Sequence, residues 1–217
     1  MIQIQGFTFN PFQENTYILY DETKECVIID PGCSNKSEQE ELVEFIKSEE
    51  LKPIKLLNTH CHIDHVLGNT FVAKKYNLKL EIHKEDLQTL HSLPQVSHLY
   101  GLNAEASVEP EGFLNEGDKV KFGNSILDIV FTPGHSPGSI CFISHQDKFV
   151  IGGDVLFYTS IGRTDLPGGN HDTLLGSIRE KLFTLSDDYV VFPGHGQETA
   201  IGFEREQNPF VGKTVNQ

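Results

Sequence analysis

Thr59-His60-Cys61-His62-Ile63-Asp64-His65 is the stretch on which the reading of this chain turns. It follows an apolar run at residues 54–57 and precedes a helical pattern at 66–76, so it reads as a strand-to-helix loop, the kind of segment on which a rigid scaffold carries ligands. If the backbone is extended there, alternate side chains share a side. His60 and His62 then face one way, and Cys61 points away as a small buried residue. Asp64 and His65 begin the turn into the helix. An unpaired buried carboxylate is costly, and a metal ion removes that cost. A lone His-x-His pair is weak grounds for a metal site, but four ligand types at this spacing rarely coincide by chance.

Three more segments share a second pattern, in which an apolar strand ends and glycine and a ligand-type residue follow. They are Phe131-Thr132-Pro133-Gly134-His135, Val150-Ile151-Gly152-Gly153-Asp154 and Val191-Phe192-Pro193-Gly194-His195. Proline stops ladder pairing, and glycine permits the tight turn that aims the next side chain. Three such strands would line their ligands along one sheet edge. Together with the first motif this gives His60, His62, Asp64, His65, His135, Asp154 and His195, a set of imidazoles and carboxylates suited to two borderline divalent cations such as zinc, with iron or manganese also accommodated. The remaining histidines, at 83, 91, 98, 145 and 171, lack partners in sequence and read as solvated or core residues, with His171 a simple helix start.

Outward from these motifs, the spacing predicts strands over 2–9, 16–20, 26–29, 54–57, 78–82, 119–122, 126–131, 140–144, 149–151 and 189–192. Helical periodicity covers 36–50, 66–76 and 172–185, the last with Asp172 as its start signal. Hairpins come first, then strand–helix–strand, then hairpins, then helix–strand, which suggests a mixed α/β (α+β) chain with helices outside its sheets. Residues 85–111 are the least patterned and hold Pro94, Gly101 and Pro110; a connector that long reads as a helical lid or functional loop over a site.

The bulk numbers narrow the function. At 217 residues with 38% hydrophobic content, one domain spanning 1–217 with a real core is expected. A formal net charge of −14 disfavours a nucleic-acid partner. The amino terminus has no basic head and no long apolar run, and no stretch approaches the roughly 20 apolar residues of a membrane span. Four cysteines with no CxxC pair read as free thiols, so the expected location is the cytoplasm. Oligomeric state is not legible.

The His-x-His-x-Asp-His motif with its distant His, Asp and His resembles the metallo-β-lactamase superfamily over nearly the whole chain. The resemblance implies a four-layer αββα sandwich with metals in a cleft at the edge of two sheets. It also implies that His60, His62 and His135 hold one metal, that Asp64, His65 and His195 hold the other, and that Asp154 bridges them. Within the superfamily the chain looks most like short bacterial glyoxalase II-like hydrolases, through Asp30-Pro31-Gly32, Leu114-Asn115-Glu116-Gly117-Asp118, Gly153-Asp154-Val155-Leu156-Phe157, Ile161-Gly162-Arg163-Thr164-Asp165-Leu166-Pro167-Gly168-Gly169 and Asn208-Pro209-Phe210.

That likeness implies hydrolysis of a small-molecule thioester such as S-lactoylglutathione, by a hydroxide shared between two cations, with Asp64 orienting it. No Gly-x-Ser-x-Gly elbow offers a rival nucleophile. Long glyoxalase II enzymes carry an extra helical carboxy-terminal domain that supplies basic residues for glutathione; this chain ends 22 residues after His195, so such contacts are not expected. Arg163 is the candidate for a substrate carboxylate, which an arginine fork suits, with an ion pair to Asp165 or Asp64 as the alternative. The competing activity is a mono-iron persulfide dioxygenase of the same fold, whose motifs overlap and whose ligands would be His60, His135 and Asp154. A nuclease is disfavoured by length and acidity, an oxygen-reducing diiron module by His62 in place of Glu, and an exported β-lactamase by the amino terminus. An inactive metal-binding scaffold is disfavoured by the intact ligand set.

Overall fold

The structure, a computed structural model, describes residues 1–102 and 104–213. Asn103, inside segment 85–111, and residues 214–217, at the end of the expected domain, lie outside the described residues.

The chain opens with an antiparallel meander, β1 (Gln3–Phe9), β2 (Glu14–Tyr20) and β3 (Glu25–Ile29). Helix α1 (Lys36–Ser48) then crosses over to β4 (Lys52–Leu57), parallel to β3. The short α2 (Ile63–Val66) and α3 (Asn69–Tyr76) lead to β5 (Leu80–Ile82), and α4 (Leu87–His91) and α5 (Leu93–Leu99) lead to β6 (Pro110–Phe113), both added in parallel. These six strands form the first sheet in sequence order.

The second sheet starts with β7 (Lys119–Phe122), β8 (Ser125–Phe131), β9 (Ile140–Ser144) and β10 (Phe149–Gly153), each antiparallel to the last. A small hairpin, β11 (Leu156–Phe157) and β12 (Ser160–Ile161), and helix α6 (His171–Glu180) precede β13 (Val190–Pro193), which lies parallel to β10. The edge strand β14 (Thr199–Ala200) and helix α7 (Ile201–Gln207) complete it.

Strand periodicity explains the layering. Successive side chains point to opposite faces, and both faces of β2 and β3 are buried. Ile18, Cys26, Ile28 and Leu56 pack outward against Leu42 and Ile46 of α1 and Val72 of α3. Tyr17, Leu19, Val27, Ile29 and Leu57 face inward against Val120, Phe122, Leu127, Ile129, Phe142 and Ile151 of the second sheet. The outer face of that sheet, Cys141, Ile143, Val150 and Val191, is covered by Leu174 and Ile178 of α6 and Ile201 of α7. Three apolar clusters between four layers make the architecture αββα, as the family resemblance implied.

Three expectations need correction. The helix expected over 66–76 starts only at Asn69, while Val66 ends the separate short α2; between them lies Gly68, where an added Cβ would lie 2.5 Å from Cys33 Sγ and 2.6 Å from the Pro31 carbonyl oxygen. The helix expected from Asp172 begins at His171 with Asn170 as its cap, the Asn170 side chain accepting from the Thr173 N–H, and it ends at Glu180 before a separate turn at Leu182–Thr184. Segment 85–111 contains α4, α5 and the start of β6; Leu90 and Leu93 anchor it in the first cluster while Leu99 and Tyr100 are exposed. Among the described residues no helix is long and apolar enough to cross a membrane.

Candidate metal centre

The topology brings the ligand-bearing loops to one edge. Strands β8, β10 and β13 run in the same direction, so their carboxyl ends, and with them His135, Asp154 and His195, lie at the same edge of the second sheet. The parallel pair β3 and β4 delivers Asp30 and the Thr59–His65 loop at the facing edge of the first. The sheets are tied there by Ile140 N–H donating to the Thr59 carbonyl at 2.8 Å and Asn15 N–H donating to the Gly194 carbonyl at 2.7 Å.

The structure brings all seven sequence-predicted residues together. His60, His62 and His135 each offer a ligand atom within 4.8 Å of one another, and so do Asp64, His65 and His195. Asp154 lies between the two groups: its carboxylate oxygens are 3.4 Å from His135 Nε2 and 3.5 Å from the Nε2 atoms of His65 and His195. His195 Nε2 is 3.0 Å from Asp64 Oδ2. The close approaches at the ligand turns demand glycine: an added Cβ at Gly194 would lie 2.2 Å from Asp154 Oδ1, and one at Gly162 would lie 1.9 Å from the Asp154 carbonyl oxygen.

Hydrogen bonding at the rear of the rings fixes what they present at the front. His135 Nδ1 lies 2.7 Å from the Arg163 carbonyl oxygen, which only accepts, so Nδ1 carries the proton and Nε2 a lone pair. Thr59 Oγ1 donates to Asp30 Oδ2 at 2.5 Å, which spends its one proton; His60 Nδ1, 3.1 Å away, therefore donates to that oxygen, and His60 Nε2 is also a lone pair. With these tautomers the Nε2 atoms of His60 and His135 face each other at 3.2 Å, each through a lone pair. His65 Nε2 and Asp154 Oδ1 are buried without a hydrogen-bond partner, and His62 turns its Nδ1 to the cluster, 2.8 Å from His135 Nε2. Buried polar atoms rarely go unpaired, and lone pairs converging with carboxylate oxygens are what divalent cations satisfy. The donor set therefore fits the expected pair of metal ions.

Electrostatics point the same way. Burial, reinforced by the neighbouring histidines, pushes His60 well below the usual imidazole range, and burial with His135 beside it brings His62 down to about 3, so both rings stay neutral and able to ligate. Burial opposes charge on His65 too, but Asp64 and Asp154 outweigh it and push that ring well above its ordinary value. Burial would raise Asp154; His65, His135 and His195 override it and hold the carboxyl well below the usual range. The carboxylate end of the cleft attracts positive charge that a cation supplies in place of a proton.

Sequence reasoning missed the residues behind the ligands. Asp30 appeared only as part of a likeness. It is buried, its Oδ2 accepts from His65 Nδ1 at 3.0 Å and from the Thr59 hydroxyl, and its Oδ1 accepts from Thr59 N–H at 2.7 Å and Asn58 Nδ2 at 3.3 Å. Its placement before Pro31-Gly32 at a strand end was the available signal. Asp86 and Glu14, both fully buried beside the ligand loops, had none. Arg163 lies at the mouth, but its guanidinium forks onto Asp165 with both N–O distances at 2.7 Å, and this pair is exposed. Of its two alternatives the structure shows the Asp165 pair, while the Arg163 backbone serves His135.

Comparison with known proteins agrees with this geometry. The family model for the metallo-beta-lactamase superfamily matches residues 9–195. Hydroxyacylglutathione hydrolase GloC of Haemophilus influenzae is 40% identical over 214 residues, covering 97% of this chain and 98% of that protein. YqgX of Bacillus subtilis, named "Probable metallo-hydrolase", is 41% identical over 204 residues and 93% of each chain. Among solved structures, the BLEG-1 B3 metallo-beta-lactamase superposes with a TM-score of 0.88 at 35% identity, over 96% of this chain and 99% of that one. TTHA1623 in a di-iron-bound form gives 0.85 at 33% identity over 95% and 99%. ETHE1 from Myxococcus xanthus gives 0.78 at 25% identity over 96% and 84%.

Proposed function

The chain belongs to the metallo-beta-lactamase superfamily, and from that premise we propose that it is a dinuclear metallohydrolase that cleaves a small thioester of the S-lactoylglutathione class. The observation that carries this is the meeting of seven ligand-type side chains at the seam of two sheets, with His135 Nε2 lying 3.2 Å from His60 Nε2 and 2.8 Å from His62 Nδ1. In this reading His60, His62 and His135 hold one cation, Asp64, His65 and His195 hold the second, and Asp154 serves both. Zinc suits the donor set, and the di-iron form of TTHA1623 supports iron as an alternative. The substrate class is carried over from the name of GloC.

Bound there, two divalent cations lower the pKa of water toward neutrality and polarise a carbonyl oxygen. The chain's own residues do the rest. Burial opposes charge on Asp64, but His65 and His195 hold its pKa below the ordinary value, so it is an ionised acceptor that orients the attacking water. Asn10 Nδ2 donates to the Asp64 carbonyl at 3.0 Å and fixes the backbone from which that carboxylate projects. A thiolate leaves without strong protonation, so this step asks for no dedicated acid. Arg163 exchanges its exposed partner Asp165 for a substrate carboxylate, a cheap exchange because exposed pairs contribute little. The working picture is one domain, acting in the cytoplasm on a small molecule, without nucleic acid or membrane as partner.

The test is metal analysis of purified protein with an S-lactoylglutathione hydrolysis assay. Two metal ions per chain and thiol release are expected, with activity lost in His62→Ala and in Asp154→Ala while circular dichroism stays unchanged. Full activity in either variant refutes the site. One iron per chain, with oxygen uptake on a persulfide, would establish the competing persulfide dioxygenase.

A further inference from the structure

Beside the seven converging side chains lies a fully buried carboxylate with no role so far. Asp86 ends the turn Lys84–Asp86 between β5 and α4. Its Oδ2 accepts from the Cys61 N–H at 2.6 Å; its Oδ1 accepts from the Gly138 N–H at 2.7 Å and from the Ser136 hydroxyl. Cys61 stands between His60 and His62, and Ser136 follows His135. One side chain thus joins the two loops that carry the three-histidine group. The approach is close: a Cβ added at Gly138 would lie 2.6 Å from the Asp86 backbone nitrogen.

The other group is anchored elsewhere. Asn10 holds the Asp64 carbonyl, Asn58 Nδ2 donates to the His65 carbonyl at 2.9 Å, and Asp30 accepts from His65 Nδ1. The turn before and after His195 is held by Asn15 Nδ2, which donates to the Pro193 carbonyl at 3.1 Å and the Gly196 carbonyl at 2.8 Å. None of these bonds involves Asp86. Asp30 also reaches His60 through the Thr59 hydroxyl, but the second group is held by anchors that do not pass through Asp86.

We propose that Asp86 is a positioning residue that sets the metal affinity of the His60–His62–His135 group and leaves that of the Asp64–His65–His195 group untouched. The inference rests on the dinuclear reading. Its physical basis is that metal affinity falls when ligands must be reordered on binding. An asparagine at 86 presents an NH2 where an oxygen now accepts, so it releases either the Cys61 N–H or the pair on Ser136 and Gly138. Either loss frees one loop relative to the other. Loss of such an outer partner costs about 10–100-fold in metal affinity.

The test is a zinc titration of metal-stripped protein against a chromophoric chelator. The wild type is expected to take two zinc ions. In Asp86→Asn one of them binds about 10–100-fold more weakly, and the other changes by less than about twofold. In a His195→Ala background the weakening persists on the zinc that remains; in a His62→Ala background Asp86→Asn has no effect. Ser136→Ala keeps the carboxylate and removes one donor, so it shifts the same zinc by less; it carries the test if Asp86→Asn does not fold. Equal weakening of both ions, no weakening of either, or an effect in the His62→Ala background overturns the proposal, as would Asp86 acting only as general scaffold. A wild type that takes fewer than two zinc ions overturns the dinuclear reading itself.

Discussion

Replacing Asp30 by asparagine tests whether the site is organised from behind. The change keeps shape and size, and Asn tolerates left-handed backbone as Asp does, so the φ of +50° at this residue adds no new strain. What changes is hydrogen bonding. Oδ2 accepts from the Thr59 hydroxyl and His65 Nδ1, and Oδ1 accepts from Thr59 N–H and Asn58 Nδ2. An amide can replace only one oxygen faithfully, so in either orientation its NH2 confronts two buried donors. A buried donor left unpaired costs about 1–3 kcal/mol. Two such losses make about 4 kcal/mol, the middle of the range. In a chain of this length that corresponds to a fall of roughly 8–16 °C in Tm. The assay is thermal melting of chelator-treated protein, paired with zinc competition. The orientation that abandons His65 Nδ1 also unpins that ring, and the expected result is a zinc affinity about 10–100-fold lower at the Asp64–His65–His195 group. A Tm within about 2 °C of wild type, with unchanged zinc binding, would refute the claim that Asp30 holds the rings from behind.

Gly134→Ala should cost about 2–6 kcal/mol, because φ is +132° there and the new Cβ would lie 2.3 Å from the Leu174 backbone nitrogen; a denaturant midpoint showing a loss under about 1 kcal/mol would contradict that. Arg163→Ala should raise KM with kcat changed less than about threefold, as loss of uniform binding does, while Asp165→Ala, which frees the guanidinium, should not raise KM; steady-state kinetics on a carboxylate-bearing thioester decides, and an unchanged KM in Arg163→Ala removes it from the substrate site. All four cysteines are buried and unpaired, and burial pushes Cys26, Cys33 and Cys141 up to about 12. A thiol reagent at neutral pH should therefore label none in the native protein and all four in denaturant; rapid native labelling would show that the clusters holding them open readily.

The fold and the converging ligands were legible because each left a local pattern. His60 and His62 alternate with Cys61, and His135, Asp154 and His195 each follow a strand and a glycine, so the sheet edge is written into the spacing. The parts that were not legible depend on partners far away in sequence. Helix α5 fell inside the unpatterned segment read as a helical lid or functional loop; its Pro94 sits in the first turn, where its missing N–H costs nothing. Strand β6 was hidden by Pro110 and Gly112, which an edge strand tolerates. Asp86 follows Lys84 and Glu85, a run that reads as a solvated helix start; only the fold sets it against Cys61 and Gly138. The Arg163 backbone carbonyl carries no side-chain signature, so its role in fixing the His135 tautomer could not be read from letters at all.

The ligands are drawn from both sheets: His60, His62, Asp64 and His65 from the loop after β4, and His135, Asp154 and His195 from the ends of β8, β10 and β13. Cations bound at both groups, as proposed, would therefore act as a reversible cross-link between two halves of the sandwich. The strength of that link follows the free metal supply, adding about 2.7 kcal/mol when the free ion stands at a hundred times its dissociation constant. On the proposed dinuclear reading, metal scarcity would do more than silence the chemistry: it would loosen the seam between the halves and offer the chain to proteases in proportion to how far the ion has been withdrawn.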